Sequence, residues 1–174
     1  MLSQQVIAAV LEHKVRQRTG KYVAVLVLQG TVVGLFASSV ELALAIPIGL
    51  LGLGCGITLA WLREQRRLLR NSYYRLAIEG WEMCLLLGAL GLSGLVAHWL
   101  QLSLVFYQAH LSYVLFGYVL GSWLGEQSWR YKVFGHLPIE QQYRYVQNLS
   151  PSLLFPYTWQ HLRRLWRAWQ RGQQ

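Results

Sequence analysis

All 16 Lys and Arg residues of this 174-residue chain fall in three segments, and two pairs of apolar stretches separate those segments. Four basic residues precede the first apolar stretch, five lie between the second and third, and seven follow the fourth. Basic residues accumulate on the cytoplasmic side of membrane proteins, so this pattern predicts four crossings with both termini in the cytoplasm. The basic residues are Lys14, Arg16, Arg18, Lys21, Arg63, Arg66, Arg67, Arg70, Arg75, Arg130, Lys132, Arg144, Arg163, Arg164, Arg167 and Arg171.

The composition excludes an ordinary soluble domain. Hydrophobic residues make up 54% of the chain and charged residues only 13%, whereas soluble domains carry about 25% charged residues. A soluble fold could not bury this much apolar surface, but a bilayer solvates it. The sequence therefore predicts an all-α, polytopic integral protein of the cell inner membrane. Its net charge of +9 favours contact with anionic lipid headgroups.

The apolar stretches are long enough for two helical hairpins. The run from Tyr22 to Leu62 has about 41 residues, or roughly 60 Å of helix, which is twice the thickness of the hydrocarbon core. The chain must therefore reverse within this run. We predict a four-helix transmembrane bundle over residues 22–125, with spans at about 22–37, 40–62, 80–102 and 107–125.

Both chain ends outside this bundle are predicted to form amphipathic surface helices. Residues 1–21 place Val6, Ile7 and Val10 on one helical face. Such a helix ahead of a span is typical of the plane of the lipid headgroups. Residues 126–174 form a basic, Trp-rich cytoplasmic tail, in which a short helix follows Pro138.

The clearest pattern of the tail lies near its end, where Trp and Leu recur at helical spacing among Arg residues. Indole rings at headgroup depth and guanidinium groups on phosphates suit an anionic membrane surface. The same apolar face can also dock into a groove of a partner protein. Nucleic acid is disfavoured, because no base-reading module accompanies the charge. The candidate binding residues are Trp159, Arg163, Arg164, Trp166, Arg167 and Trp169.

Glycine residues recur at four-residue spacing on two of the predicted spans. This spacing puts them on one face of a helix, where the missing side chains let another backbone approach closely. The pattern indicates either packing within the bundle or docking onto a helix of a partner. The residues are Gly52 and Gly56 on the second span and Gly117, Gly121 and Gly125 on the fourth.

Two histidines lie near the outward ends of the third and fourth predicted spans. His98 and His110 can reach similar depths, and two imidazoles on facing helices can ligate haem iron. The competing interpretation places both in the outer aromatic belt of the membrane interface. No cofactor other than this possible haem and no metal site are predicted, since Cys55 and Cys84 lie in apolar segments without a C-x-x-C motif.

Two acidic residues lie at the inward ends of the same two spans. Acids within a span are candidates for proton relay or cation binding. However, Glu82 and Glu126 have the basic residues Arg75 and Arg130 on the same side of the membrane. We therefore interpret both acids as members of interfacial ion pairs, with proton relay or cation binding as the open alternative.

The sequence contains no G-x-S-x-G, H-E-x-x-H, P-loop or paired-Asp motif, so we expect no enzymatic activity. The leading hypothesis is an accessory, scaffold or assembly subunit of a larger inner-membrane complex, such as a secretion, conjugation or energy-converting machine. Its expected partners are other integral membrane proteins, and homo-oligomers are also possible. The alternatives are a small oligomeric transporter or channel and a haem- or quinone-binding membrane anchor that uses His98 and His110.

Overall fold

The computed structural model describes residues 4–37, 42–69, 88, 91–95 and 98–149, and the regular structure in this part of the chain is helical. Three long helices are followed by a 3-10 turn and a short helix. They are α1 (Gln4–Phe36), α2 (Leu42–Arg66), α3 (Leu104–Lys132), the turn Phe134–His136 and α4 (Ile139–Asn148).

Three of the described helices are long and apolar enough to cross a membrane, namely α1, α2 and α3. The prediction of a helical membrane protein is therefore confirmed in this general form. The predicted spans 22–37, 40–62 and 107–125 each fall on one of these helices, apart from a few end residues that are not described. The predicted span 80–102 lies largely outside the described residues, and so does the chain after residue 149.

Helix α1 does not have the predicted boundary near residue 21. It runs without a break from Gln4 to Phe36, so residues 4–21 extend the first apolar helix instead of forming a separate one. No proline interrupts this segment. Moreover, Arg18 and Tyr22, which lie one turn apart on either side of the expected boundary, both bind Glu126 of α3.

Helix α3 begins at Leu104, earlier than the predicted start of the fourth span at residue 107, because of a local capping signal. The Ser103 hydroxyl accepts a hydrogen bond from the Phe106 backbone N–H at 3.2 Å and thereby covers a free donor of the first turn. Gln101, with φ of 55°, supplies the left-handed turn that a glycine usually provides.

Helices α2 and α3 are parallel and pack with their backbones in close contact. Gly117 faces the Gly49 carbonyl, Gly121 faces Leu53, and residue numbers rise together along both helices. A methyl group at either glycine would overlap the opposing backbone. The small-residue stripe of α3 therefore faces α2 and permits a short interaxial distance.

Helix α1 runs antiparallel to α3. Arg18, near the beginning of α1, contacts Glu126 near the end of α3. Gly30, further along α1, lies beside Phe116, which is closer to the beginning of α3. The first half of α1 and the C-terminal ends of α2 and α3 therefore share one end of the molecule, which we call the basic end. Every Lys and Arg among the described residues belongs to the chain segments at this end.

The basic end has a compact apolar core of its own, to which α1, α2, α3 and α4 contribute. The rings of Trp129 and Tyr145 stack with centroids 5.2 Å apart and an interplanar angle of 20°. The predicted helix after Pro138 is present as α4 and lies across this core. The buried members of the core are Ile7, Trp129, Tyr145, Val146 and Leu149.

Replacing Gly121 with Ala tests the α2–α3 contact. The added methyl group meets the Leu53 backbone, and overpacking of this kind costs about 1–3 kcal/mol. Gly54→Ala is the matched control, because open space surrounds Gly54 on α2. Thermal unfolding in detergent should show a lower midpoint for the Gly121 variant only. Equal midpoints for both variants would contradict the close contact.

Candidate functional site

A buried carboxylate, that of Glu126, forms the centre of the basic end. Glu126 is 1% exposed and Arg18 is 2% exposed. The Arg18 guanidinium donates two hydrogen bonds to this carboxylate, one of them from Nε to Oε2 at 3.1 Å. The Tyr22 hydroxyl donates to Oε1 at 2.7 Å, and Arg130 Nη1 lies 3.5 Å from Oε2. Glu126 therefore ties α1 to α3 through Arg18 and Tyr22, and Arg130 adds an ion pair within α3.

A second buried carboxylate, that of Glu64 on α2, joins α4 to the bundle. The Tyr145 hydroxyl donates to Glu64 Oε2, and Arg67 Nη2 lies 3.3 Å from Oε1. Burial raises the pKa of Tyr145 above its ordinary value of 10.0, and the negative charge of Glu64 raises it further. The phenol consequently stays protonated at neutral pH and remains a hydrogen-bond donor.

Further polar contacts fasten α2 directly to α3. The Trp61 indole donates to the Ser128 hydroxyl at 3.0 Å, and Arg63 Nη2 donates to the Ser122 hydroxyl at 3.2 Å. Together with the two carboxylates, these contacts form a polar layer at the level where the apolar helices meet the basic segments. The layer links α1, α2, α3 and α4.

Side chains from other helices cap the C-terminal carbonyls of α2 and α4. Asn148 Nδ2 donates to the Arg67 carbonyl at 2.7 Å, and Lys14 Nζ donates to the Val146 carbonyl at 2.7 Å. The last carbonyls of a helix lack partners within it, so such contacts satisfy groups that would otherwise be unpaired. Helix α4 is therefore fixed to both α1 and α2.

The arrangement of these groups is that of a structural clamp. Each buried carboxylate lies beside a cation and accepts a hydrogen bond from a phenol, and breaking a buried ion pair from one side is strongly destabilising. Among the described residues, no group of three or more His, Cys, Asp and Glu residues has the arrangement of a metal site. We call Arg18, Glu64, Arg67, Glu126 and Arg130 the ionic cluster.

The two histidines proposed as haem ligands have different surroundings. His98 is exposed. His110 is buried in α3, and its Nδ1 lies 2.8 Å from the Phe106 carbonyl, to which it donates in the Nδ1–H tautomer. In the described part of the chain no ring contact joins them; His110 instead packs against Phe106, with centroids 4.0 Å apart. The haem or quinone role stays a prediction.

The remaining predicted site residues divide into two groups. The five glycines lie between α2 and α3, where the position of each faces the backbone of the other helix. The tail residues Trp159, Arg163, Arg164, Trp166, Arg167 and Trp169 lie outside the described residues, as do Glu82 and Arg75. Binding of lipid or protein by the tail stays a prediction.

The members of the polar layer, among them Arg18, Tyr22, Glu64 and Tyr145, were not predicted as binding or catalytic residues from the sequence. The expected pairing of Glu126 with Arg130 is present at 3.5 Å, but the contact with Arg18 is closer. A usable signal was the four-residue spacing of Arg18 and Tyr22 at the border of the apolar run. Glu64 and Tyr145 carried no such signal, because the helices that hold them are far apart in the sequence.

No family model, curated protein or solved structure matches this chain. Its function is therefore inferred from its own sequence and geometry.

Replacing Glu126 with Gln tests the clamp between α1 and α3. The variant leaves Arg18 buried beside a neutral amide, and breaking a buried ion pair from one side costs about 3–5 kcal/mol. The double variant Arg18→Met with Glu126→Leu should lose less stability than the single variants Arg18→Met and Glu126→Leu lose together, because it removes both charges. Chemical unfolding in detergent measures the free energy of unfolding of each variant.

Glu12→Gln is the control for this cycle, since Glu12 is an exposed acid on α1 and its neutralisation should change stability by about 0.5 kcal/mol or less. Additive effects of the Arg18 and Glu126 substitutions would contradict a direct pair.

Tyr145→Phe tests the contact with Glu64 through its pH dependence. A pKa that is raised in the folded state means that the unfolded chain releases its proton first, so stability is lost as pH rises above about 10. Between about pH 9 and pH 11 the wild type should lose more stability than the Phe variant. Tyr143→Phe, on the same helix but exposed, should behave like the wild type. Identical alkaline profiles for all three proteins would contradict the buried phenol–carboxylate contact.

Proposed function

We propose that this protein is a non-enzymatic, multi-pass subunit that acts as an accessory, scaffold or assembly factor of a larger inner-membrane complex. The machinery could serve secretion, conjugation or energy conversion. The observation that carries this proposal is that buried charged side chains at the basic end bind side chains of other helices in the same chain. Arg18 binds Glu126 and joins α1 to α3, and Tyr145 binds Glu64 and joins α4 to α2. Hydrogen bonds from Trp61 and Arg63 join α2 to α3.

Four membrane crossings are part of this proposal, and the parallel packing of α2 and α3 supports them. Because both helices run in the same direction, the end of α2 lies at the basic end and the beginning of α3 lies at the opposite end. The 25 residues of α2 correspond to roughly 37 Å of helix, so these two points are about one bilayer thickness apart, as a further crossing between them requires.

The proposed orientation has both termini in the cytoplasm of a cell whose inner membrane holds the protein. The concentration of Lys and Arg at the basic end supports it. In a variant whose native cysteines are replaced by Ser, a cysteine at Gln5 should react with an impermeant maleimide only after the membrane is opened. Labelling in intact cells would contradict this orientation.

The distribution of polar groups favours a scaffold over a transport pathway. The ionic cluster places a cation beside each of its two buried carboxylates at one end of the molecule, whereas the outward faces of α1 and α2 carry exposed aliphatic side chains such as Val27, Leu35 and Leu50. Lipid tails or the helices of partner proteins can cover such faces. Faces of this kind do not line a water-filled pathway. The role proposed for the clamp is to hold these faces in a fixed relation.

Mild extraction of the tagged protein from its native membrane, followed by native mass measurement, tests the proposed function. We expect other integral membrane proteins to co-purify in defined stoichiometry. The Glu126→Gln variant should retain fewer of them, while the exposed-site variant Glu12→Gln should retain them all. Recovery of a lone monomer, or of copies of this chain alone, would contradict the proposal. A Soret band or solute flux in vesicles would instead favour the haem anchor or the transporter.

A further inference from the structure

A small apolar groove lies between α1 and α4 at the basic end. Its volume is about 130 Å³. The floor contains Ile7 and Val146, which belong to the buried core, whereas Val6, Val10 and Tyr143 on the walls are 45%, 41% and 38% exposed. Three large apolar side chains therefore remain accessible beside a concave surface, with Lys14 at its edge.

The unbroken course of α1 carries this groove away from the membrane. Lys21 is the last charged residue before the apolar part of α1. Val10 and Val6 precede it by distances of roughly 16 Å and 22 Å along the helix axis. The headgroup region of one leaflet is only about 5–8 Å thick. The groove consequently faces the aqueous phase, which makes a protein segment a more suitable occupant than a lipid.

The size of the groove restricts what it can hold. Sites for metabolites and cofactors usually have volumes of about 300–1,000 Å³, whereas a cavity of about 150 Å³ accommodates benzene. A volume of about 130 Å³ therefore suits one bulky apolar side chain. Lys14 favours an occupant that also carries a hydrogen-bond acceptor. Its ammonium has three N–H groups and donates one to the Val146 carbonyl at 2.7 Å.

The charge around the groove selects the partner. The described part of the basic end has ten Lys and Arg residues but only four Glu residues. Two of the four Glu residues, Glu64 and Glu126, are buried in the ionic cluster. An acidic segment is thus attracted to this surface. The chain's own residues 150–174 include four Arg and no Asp or Glu, so charge disfavours them as the occupant.

We propose that this groove binds an acidic, amphipathic segment of a partner protein. The segment inserts one apolar side chain between Val10 and Tyr143 and places a carboxylate on the Lys14 ammonium. This inference rests on the proposed function, since it supplies the aqueous contact through which a subunit of a membrane complex engages its partner.

Photo-cross-linking in native membranes tests the groove. A benzoylphenylalanine replaces Tyr143 in the full-length chain, and the captured peptide is identified by mass spectrometry. We expect a peptide rich in Asp or Glu with apolar residues at helical spacing. Lys14→Glu should lower the yield at least about tenfold. Arg16→Glu, the same charge reversal at an exposed position of α1 outside the groove, should change the yield far less.

A second pair of variants separates docking from folding, since Lys14→Glu also removes the contact with α4. Val10→Ser alters only a half-exposed groove wall, and Ala9→Ser introduces the same hydroxyl on the exposed side of α1 outside the groove. We expect Val10→Ser to lower the yield several-fold and Ala9→Ser to leave it unchanged, with equal unfolding midpoints. Raising the salt to about 1 M should weaken capture, because the screening length falls to about 3 Å.

Capture that is indifferent to both groove variants would overturn this inference, as would a captured peptide from residues 150–174, from a second copy, or a captured lipid. If other subunits still co-purify in those cases, the proposed function stands and only the groove assignment fails. If nothing co-purifies and nothing is captured, the proposed function fails as well.

Discussion

The ion pair between Arg18 and Glu126 determines how the rest of the molecule is arranged. Both side chains are almost completely buried, and in an apolar environment each charge is stable only beside the other. This pair fixes the register of α1 against α3, and the position of Gly30 beside Phe116 shows that the two helices run antiparallel. Tyr22 and Arg130 complete the coordination of the same carboxylate. The register of the long helices is thus set by electrostatics at one end, whereas apolar packing alone would tolerate sliding.

Glycine contacts hold α2 and α3 together along their length. Hydrophobic burial does not drive helices together within lipid, so close approach of backbones is needed for dispersion contacts to accumulate. The stripe of Gly117, Gly121 and Gly125 provides this approach. Beyond the last of these glycines, the Trp61 indole of α2 donates a hydrogen bond to the Ser128 hydroxyl of α3 at 3.0 Å. The α2–α3 pair therefore changes from dispersion contact to polar contact as it enters the basic end.

The sequence predicted the features that depend on local composition, and it missed those that depend on contacts between distant segments. The apolar runs predicted the helical membrane class, and Pro138 predicted α4, because length and capping are local properties. The continuous course of α1 was missed because the change from charged to apolar residues near Lys21 resembles a boundary. The helix is held across it by Glu126, which is 104 residues away from Tyr22. Glu64 and Tyr145 were missed for the same reason, since nothing near either residue indicates the other.

The continuity of α1 also connects the clamp to the surface of the molecule. A helix that bent at Lys21 would lay Val6 and Val10 in the headgroups, where lipid would cover them. Because Arg18 and Tyr22 hold both sides of that position against α3, the helix stays straight and its first turns stand beside α4. In the proposed orientation the half-exposed valines then face water, where apolar surface is costly unless a partner covers it. The buried charges that fix the bundle therefore also create the exposed apolar groove, and weakening the clamp should disturb both.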